Sequence, residues 1–266
     1  KYHLNLSQDG TFNPRDIFGS HDDSDHVYNT PRAWYMARCL NPSTMNWDGP
    51  DADFTPLSDD IPWCMVPEKK VTIEDVKYVL SSHFQGTPYD PYASYGDKSM
   101  KGAYRAIGVN RTDFLGIIQM RPDAGEDSRA IEWVAFASNV FNTAAPFYTD
   151  VEKVPEYFSN TTRDASTDNF YWASRMIAAM ADASYSKSIF HIERYQERVM
   201  SKGHEYINQY DELLAKESNA EKRMQLRQEA NEKIADMVKK ETQDTLNKVL
   251  YELSNQMKNA YSRSDA

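Results

Sequence analysis

The stretch FLGIIQMRPDAGEDSRAIEWVAFA, residues 114–137, decides how the first part of the chain can fold. Two short apolar runs in it flank a polar segment that contains proline, glycine and aspartate. Runs of this length, separated by turn-forming residues, are typical of β-strands joined as a hairpin. A third run, AIGVN at residues 106–110, comes shortly before them. We predict a strand in each run, and hence a sheet with loops and a few helices.

One helix is predicted within this part of the chain, in the segment VTIEDVKYVLSSHF at residues 71–84. Thr72 is a suitable N-cap, with Asp75 three residues further on. Val76, Val79 and Leu80 would then lie along one face. The segment is long enough for a helix of about three turns.

The sequence changes character near residue 165 and is helical in pattern from there onward. The segment TDNFYWASRMIAAMADASY, residues 167–185, has a possible N-cap at Ser166 or Thr167. Beyond it, apolar residues recur at intervals of three and four on both sides of the polar segment KESNAEK, residues 216–222. This pattern predicts two long helices paired as an antiparallel hairpin. We therefore divide the chain into residues 1–165 and residues 166–266.

Composition excludes several classes of function. The 266 residues carry a formal net charge of -10, which repels nucleic acid and anionic lipid, so neither is expected as a partner. No apolar run approaches the roughly 20 residues of a membrane-spanning helix. The two cysteines, Cys39 and Cys64, cannot form a multi-bridge scaffold and lie in no metal-binding spacing. We expect a soluble protein, and the sequence leaves open whether it is cytoplasmic or secreted.

The histidines offer few candidates for chemistry. His21 and His26 flank a run of aspartates in GSHDDSDHVY and could bind a metal ion, but a solvated acidic loop is the preferred interpretation because the run has no regular spacing. His83 follows the predicted helix before Gly86, where its imidazolium would complement the helix dipole. No metal site is predicted.

Polar side chains at the ends of the predicted strands are the candidates for substrate binding. Asn110 and Arg111 directly follow one strand, and Asn142 follows another, together with Asn139 and Thr143. Loops at strand ends often recognise substrates. Ordinary turns occur in the same places, and the residues alone favour that alternative.

Longer blocks of sequence resemble a known family. In order, they are RDIFG, HVYNTPRAWYMAR, DVKYVLSSHFQGTPYDPYA, YRAIGVNRTDFLGIIQMRPD, NVFNTAAPFYTDVEKVPEYF and TDNFYWASRMIAAMADA. Together they span roughly residues 15–185 and are similar to the later part of the dipeptidase A family, the C69 cysteine peptidases. So long an ordered match is far more specific than a short motif.

The resemblance implies both a fold and a reaction. The family belongs to the N-terminal-nucleophile hydrolases, so residues 1–165 are expected to form the carboxy-terminal part of an α+β, four-layer αββα sandwich, followed by the helical hairpin. Dipeptide amide bonds would be hydrolysed through an acyl-enzyme formed on an amino-terminal cysteine, whose own α-amine serves as the base. No cofactor is implied, and homo-oligomers are expected.

The chain departs from the family pattern in its cysteines. Cys39 and Cys64 are both internal, so neither has a free α-amine beside its thiol. The first residue is Lys1 and the sequence there reads like the middle of a domain. We therefore predict that the chain is the carboxy-terminal half of a dipeptidase, that its partner is the amino-terminal half with the nucleophilic cysteine, and that it is inactive alone.

Arg32 is the predicted catalytic residue. The segment YNTPRAWYMAR resembles a segment of the related penicillin and bile-salt amidases, in which an arginine contacts the nucleophilic cysteine, and Arg32 matches that arginine. A guanidinium there would favour thiolate and stabilise an oxyanion. The alternative is a buried ion pair at the helix start. Arg38 should instead pair with a surface acid.

A second function from another class also fits the sequence. The helical part could make the chain a non-catalytic assembly or scaffold module, since amphipathic helices serve as oligomer interfaces. An upstream cysteine that can be exposed at an amino terminus would distinguish the hydrolase from the scaffold.

Overall fold

A computed structural model describes residues 14–19 and 22–259, without the side chains of residues 15 and 16. The chain forms two compact units, Lys1–Ile107 and Gly108–Ala266. The boundary predicted between residues 165 and 166 falls inside the second unit and stays a prediction about sequence character.

Short helices and long loops make up the first unit. The described helices are α1 (Pro14–Phe18), α2 (Asp25–Tyr28), α3 (Thr30–Leu40) and α4 (Ile73–Leu80). The prediction for α4 is confirmed, since the Thr72 hydroxyl accepts a hydrogen bond from Asp75 N (3.1 Å) and the Asp75 carboxylate accepts one from Thr72 N (2.9 Å). This reciprocal cap satisfies two amides that a helix start otherwise leaves without partners.

An aromatic cluster holds the first unit together. Trp34 and Tyr35 of α3 are almost fully buried and pack with Trp47, Ile61 and Phe84. The polar atoms of the large rings are also satisfied: Trp34 Nε1 donates to Phe54 O (3.0 Å) and Tyr35 OH donates to Gln85 O (2.9 Å). Buried rings with satisfied polar atoms fix the orientation of α3 within this unit.

A small antiparallel sheet lies in the second unit. Its described strands are β1 (Phe114–Met120), β2 (Ala130–Phe136) and β3 (Ala145–Tyr148), in the order β1-β2-β3. Phe114 is paired with Phe136 and Met120 with Ala130, so the predicted hairpin is confirmed. The strand predicted at residues 106–110 is wrong, because bends and turns occupy it and Thr112 N closes a turn onto Val109 O (3.2 Å).

Helices cover the sheet on the side of β3. The described helices of this unit are α5 (Glu156–Ser159), α6 (Phe170–Ala183), α7 (Tyr185–Leu214) and α8 (Ala220–Ser254). Tyr195 OH lies 2.7 Å from Thr242 Oγ1, and Tyr210 OH donates to Glu229 Oε1 (2.9 Å), which confirms the antiparallel hairpin of α7 and α8. The N-cap of α6 is Asn169 rather than Ser166 or Thr167.

Two contacts fix the hairpin on β3. The Asn231 amide of α8 accepts a hydrogen bond from Tyr148 N (2.9 Å) and donates one to Tyr148 O (3.0 Å), as a neighbouring strand would do. Gly203 of α7 lies against Pro146, and a Cβ on this glycine would come within 2.7 Å of Pro146 Cδ. The α+β class is thus observed, as helices packed on an antiparallel sheet.

Candidate functional site

Arg32 lies in the first turn of α3, directly after Pro31. Its side chain folds back over the start of its own helix, where Nε donates to Tyr28 O and Nη2 donates to Asn29 Oδ1 (2.9 Å). The side chain is half-buried. These two bonds hold the guanidinium in one orientation and leave its remaining N–H groups for other acceptors.

A second arginine approaches the same place. Arg105 N donates to Val27 O (3.0 Å), and the Arg105 guanidinium carbon lies 5.6 Å from the centroid of the Tyr28 ring. Partial burial lowers the pKa of Arg32, and the positive charge of Arg105 lowers it further. We call Arg32 and Arg105 the arginine pair.

Neither member of the arginine pair forms an ion pair with any acid in the described part of the chain. The predicted alternative, a buried ion pair at the helix start, is therefore not observed for Arg32 among these residues. Two like charges held close together without an intervening anion repel each other. The arginine pair is thus an electrostatic arrangement that a bound anion would stabilise.

Several other arginines of the described residues are paired with acids. Arg38 Nη2 lies 2.9 Å from Asp48 Oδ2, which confirms the prediction that Arg38 pairs with a surface acid. In the second unit, charged side chains line a cavity of about 670 Å³. There Arg223 Nε donates to Asp127 Oδ2 (2.7 Å), and Arg227 Nη2 lies 2.9 Å from Asp150 Oδ2. Both aspartates of that cavity are thus paired with arginines, whereas no ion pair to either member of the arginine pair is found among the described residues.

The predicted substrate-binding residues Asn110 and Arg111 lie in the second unit, in the turn that precedes β1. Both are exposed, and the Asn110 carbonyl accepts a hydrogen bond from Arg175 Nη1 (2.7 Å). This geometry fits the turn that the residues alone favour. Their role in substrate binding stays a prediction.

Asn142, the third predicted substrate-binding residue, is buried in the loop between β2 and β3. Its Nδ2 donates to Phe136 O (2.7 Å) and Ala137 O (3.1 Å). Ala137 has a positive φ of 67°, and a side-chain amide that bonds the carbonyls around it stabilises such a turn. The observed contacts favour the turn alternative, and substrate binding by Asn142 stays a prediction.

A buried histidine and aspartate form a pair that the sequence analysis did not anticipate. His83 Nδ1 lies 2.9 Å from Asp90 Oδ1, and the same oxygen accepts a hydrogen bond from Tyr92 N (2.9 Å). The helix before His83 ends at Leu80, so this imidazole belongs to a loop and not to a helix end. The pair stabilises the loop, and only folding of that loop brings the two side chains together.

The histidines near the acidic run, His21 and His26, are the candidates for binding a metal ion. His21 lies outside the described residues, and His26 Nε2 lies 3.0 Å from Asp59 Oδ1. Over the ranges that the structure describes, no group of three or more potential metal ligands is found.

Cys39 is a poor candidate for a nucleophile. Burial raises the pKa of its thiol, although Tyr35 and Arg38 act in the opposite direction. A raised pKa disfavours the thiolate that a nucleophile requires.

No helix in the described ranges combines the length and the apolar character needed to cross a membrane.

Comparisons with known proteins identify close relatives. A model of peptidase family C69 matches residues 1–198. The chain is 45% identical over 302 residues to a dipeptidase of Bifidobacterium longum, covering 99% of this chain and 57% of that protein. It is also 45% identical over 266 residues to a probable dipeptidase A of Streptococcus pyogenes serotype M18, covering 99% and 53%, respectively. A probable dipeptidase B of Lactococcus lactis is 33% identical over 267 residues, covering 99% and 54%. The chain spans about half the length of these curated relatives.

Proposed function

Since the chain belongs to peptidase family C69, we propose that it is the carboxy-terminal portion of a cysteine dipeptidase. The observation that carries this proposal is the similarity to dipeptidases along 99% of the chain. The substrate is a dipeptide, and the bond hydrolysed is its amide bond.

The reaction uses a cysteine at the amino terminus of the preceding segment. Its α-amine takes the thiol proton, and the thiolate attacks the carbonyl carbon of the dipeptide. The tetrahedral intermediate collapses to a thioester as the amine leaves with a proton from the α-ammonium, and water then hydrolyses the thioester. No metal or organic cofactor takes part.

Arg32 acts in this scheme beside the reacting thiol. Its guanidinium is fixed by Tyr28 O and Asn29 Oδ1 and has no carboxylate partner among the described residues, so it can accept an anion without first breaking an ion pair. A cation beside the thiol favours thiolate, and an N–H donor beside the carbonyl stabilises the oxyanion. Asn110, Arg111 and Asn142 remain the proposed substrate contacts of the second unit.

The exposed face of the sheet supports an amino-terminal partner. Alternate residues of β1 are exposed: Phe114 by 54%, Ile118 by 70% and Met120 by 62%. An apolar sheet face of this kind is normally covered. In the proposed αββα sandwich, the amino-terminal half supplies the second sheet that covers it.

A second proposal, assembly through the helical hairpin, has its own support. Exposed apolar side chains lie near its open end, including Phe190 of α7 and Leu250 and Tyr251 of α8. Such side chains suit a contact between copies of the enzyme. Homo-oligomer formation is compatible with catalysis, whereas a scaffold without activity is the competing function.

Expression of the full-length polypeptide beside residues 1–266 alone tests the proposal. We expect dipeptide hydrolysis only by the full-length protein, with Cys39→Ser and Cys64→Ser variants as active as the wild type. Hydrolysis by residues 1–266 alone would refute the assignment of the nucleophile. A full-length protein that assembles but hydrolyses no dipeptide would favour the scaffold.

A further inference from the structure

We infer that Arg105 binds the C-terminal carboxylate of the dipeptide and thereby restricts the enzyme to substrates with a free carboxylate next to the scissile bond. This inference rests on the proposed function. The observation behind it is the arginine pair: Arg32 bonds the Tyr28 carbonyl, Arg105 lies over the Tyr28 ring, and neither forms an ion pair within the described residues.

A bound anion would stabilise the arginine pair, because it would offset the repulsion between the two guanidinium groups. Elsewhere in the same unit Arg38 is neutralised by Asp48 at 2.9 Å. Within the described residues neither member of the arginine pair forms an ion pair, and the nearby Asp25 carboxylate is bonded to the Asn29 amide instead of to Arg32, so an anionic ligand could bind both guanidinium groups directly.

A dipeptide undergoing hydrolysis carries two anionic groups close together. The C-terminal carboxylate is attached to the Cα that bears the scissile nitrogen, so it lies close to the carbonyl that becomes the oxyanion. A site for this reaction therefore needs two neighbouring cationic donors, one for each group. In longer peptides the carboxylate is displaced by at least one residue and no longer reaches the second donor.

Arg105 is positioned for this task by its own contacts. Its main chain is fixed to α2 through the bond from Arg105 N to Val27 O (3.0 Å), and its guanidinium lies over the Tyr28 ring. Tyr28 is 46% exposed, so a small ligand can reach this side of the pair. A guanidinium stacked on a ring loses less freedom when it binds a carboxylate in a bidentate manner.

The test compares a good dipeptide substrate with its C-terminal carboxamide in the full-length enzyme. For Arg105→Ala we expect kcat/KM on the dipeptide to fall roughly 10- to 100-fold, mainly through KM, as for loss of a hydrogen bond to a charged group. Hydrolysis of the carboxamide should stay near the wild-type rate. Arg105→Lys should recover part of the loss, and Arg38→Ala should change neither substrate.

Two further measurements keep the outcomes separate. The wild-type enzyme should itself prefer the dipeptide over the carboxamide by a similar factor, a readout that does not depend on the folding of any variant. In contrast, Arg32→Ala should lower kcat on both substrates. Equal losses on both substrates in a stably folded Arg105→Ala variant, or no wild-type preference, would overturn the inference and leave the proposed function intact. A full-length enzyme inactive on both substrates would instead refute the proposed function, and the inference with it.

Discussion

At the scale of single residues, Arg32 is the side chain on which the proposed chemistry depends. If Arg32 is a donor to the developing oxyanion, as we propose, its replacement by alanine should raise the activation barrier by about 2.7–4 kcal/mol. Arg32→Lys keeps the charge but loses the planar fork, and should recover the rate only in part. Steady-state kinetics with dipeptide and thermal melting of the same samples measure both effects. Arg38→Ala is the matched control, since this arginine lies on the same helix but pairs with Asp48.

An Arg32→Ala variant that folds normally and hydrolyses dipeptide at the wild-type rate would refute the assignment of Arg32 as a catalytic residue.

The sequence led to Arg32 because Pro31 and the following helix form a local pattern. It did not lead to Arg105, since the contact between Arg105 and Tyr28 joins residues far apart in the chain. The pairing of His83 with Asp90 was missed for a related reason, because it depends on the path of a loop.

At the scale of elements, the packing of α7 on β3 depends on Gly203. Alanine is the better helix former by up to about 1 kcal/mol, yet its Cβ would meet the rigid Pro146 ring at 2.7 Å. Overpacking of this kind typically costs about 1–3 kcal/mol, so we expect Gly203→Ala to lower the free energy of unfolding of the full-length enzyme. Chemical denaturation measures the change. A stabilised Gly203→Ala variant would show that α7 does not lie this close to β3.

The contact of α8 with the free edge of β3 gives a second prediction. Asn231→Leu would remove both partners of the Tyr148 backbone and bury an N–H and a C=O without hydrogen bonds. Each unsatisfied group costs about 1–3 kcal/mol, and we expect denaturation to register a loss of this order. Gln228→Leu is a control on the same helix, because its amide bonds Lys153 at an exposed site. Equal stability of the two variants would contradict the proposed role of Asn231.

Elements with local signals were predicted correctly, and those without them were not. The reciprocal cap of Thr72 and Asp75 and the apolar periodicity of α7 and α8 are contained in neighbouring residues. Strand β3 is short and buried on both faces, so it has no alternation that the sequence could display. Residues 106–110 are apolar but close a turn instead of pairing with a strand, a distinction that hydrophobicity alone does not make.

At the scale of the whole molecule, the account requires the exposed face of β1 to be covered by the amino-terminal half. Ile118→Glu would then bury a charge directly opposite Glu132, its cross-strand neighbour, without a partner of opposite sign, and cost on the order of 3–5 kcal/mol in the full-length enzyme. Val66→Glu is the control, because Val66 is 89% exposed on a loop and a surface substitution changes stability by only about 0.5 kcal/mol. Denaturation of both full-length variants measures the difference. Equal, small effects would mean that the face of β1 stays open to solvent.

The family could be identified from the sequence because its ordered blocks are long, and the comparisons confirm that resemblance. The complete active site could not be predicted, since in the proposed function neither cysteine of this chain contributes the nucleophile. The sandwich also remains a proposal, because the second sheet would come from residues outside it.

The most direct test of the central claim is to treat the full-length enzyme with iodoacetamide while dipeptide hydrolysis and the sites of alkylation are followed together. The account predicts that activity falls in proportion to modification of an amino-terminal cysteine, that Cys39→Ser and Cys64→Ser variants lose activity in the same way, and that a chelator has no effect. Activity that survives complete alkylation of that cysteine, or that a chelator abolishes, would contradict the assignment to a terminal thiol nucleophile.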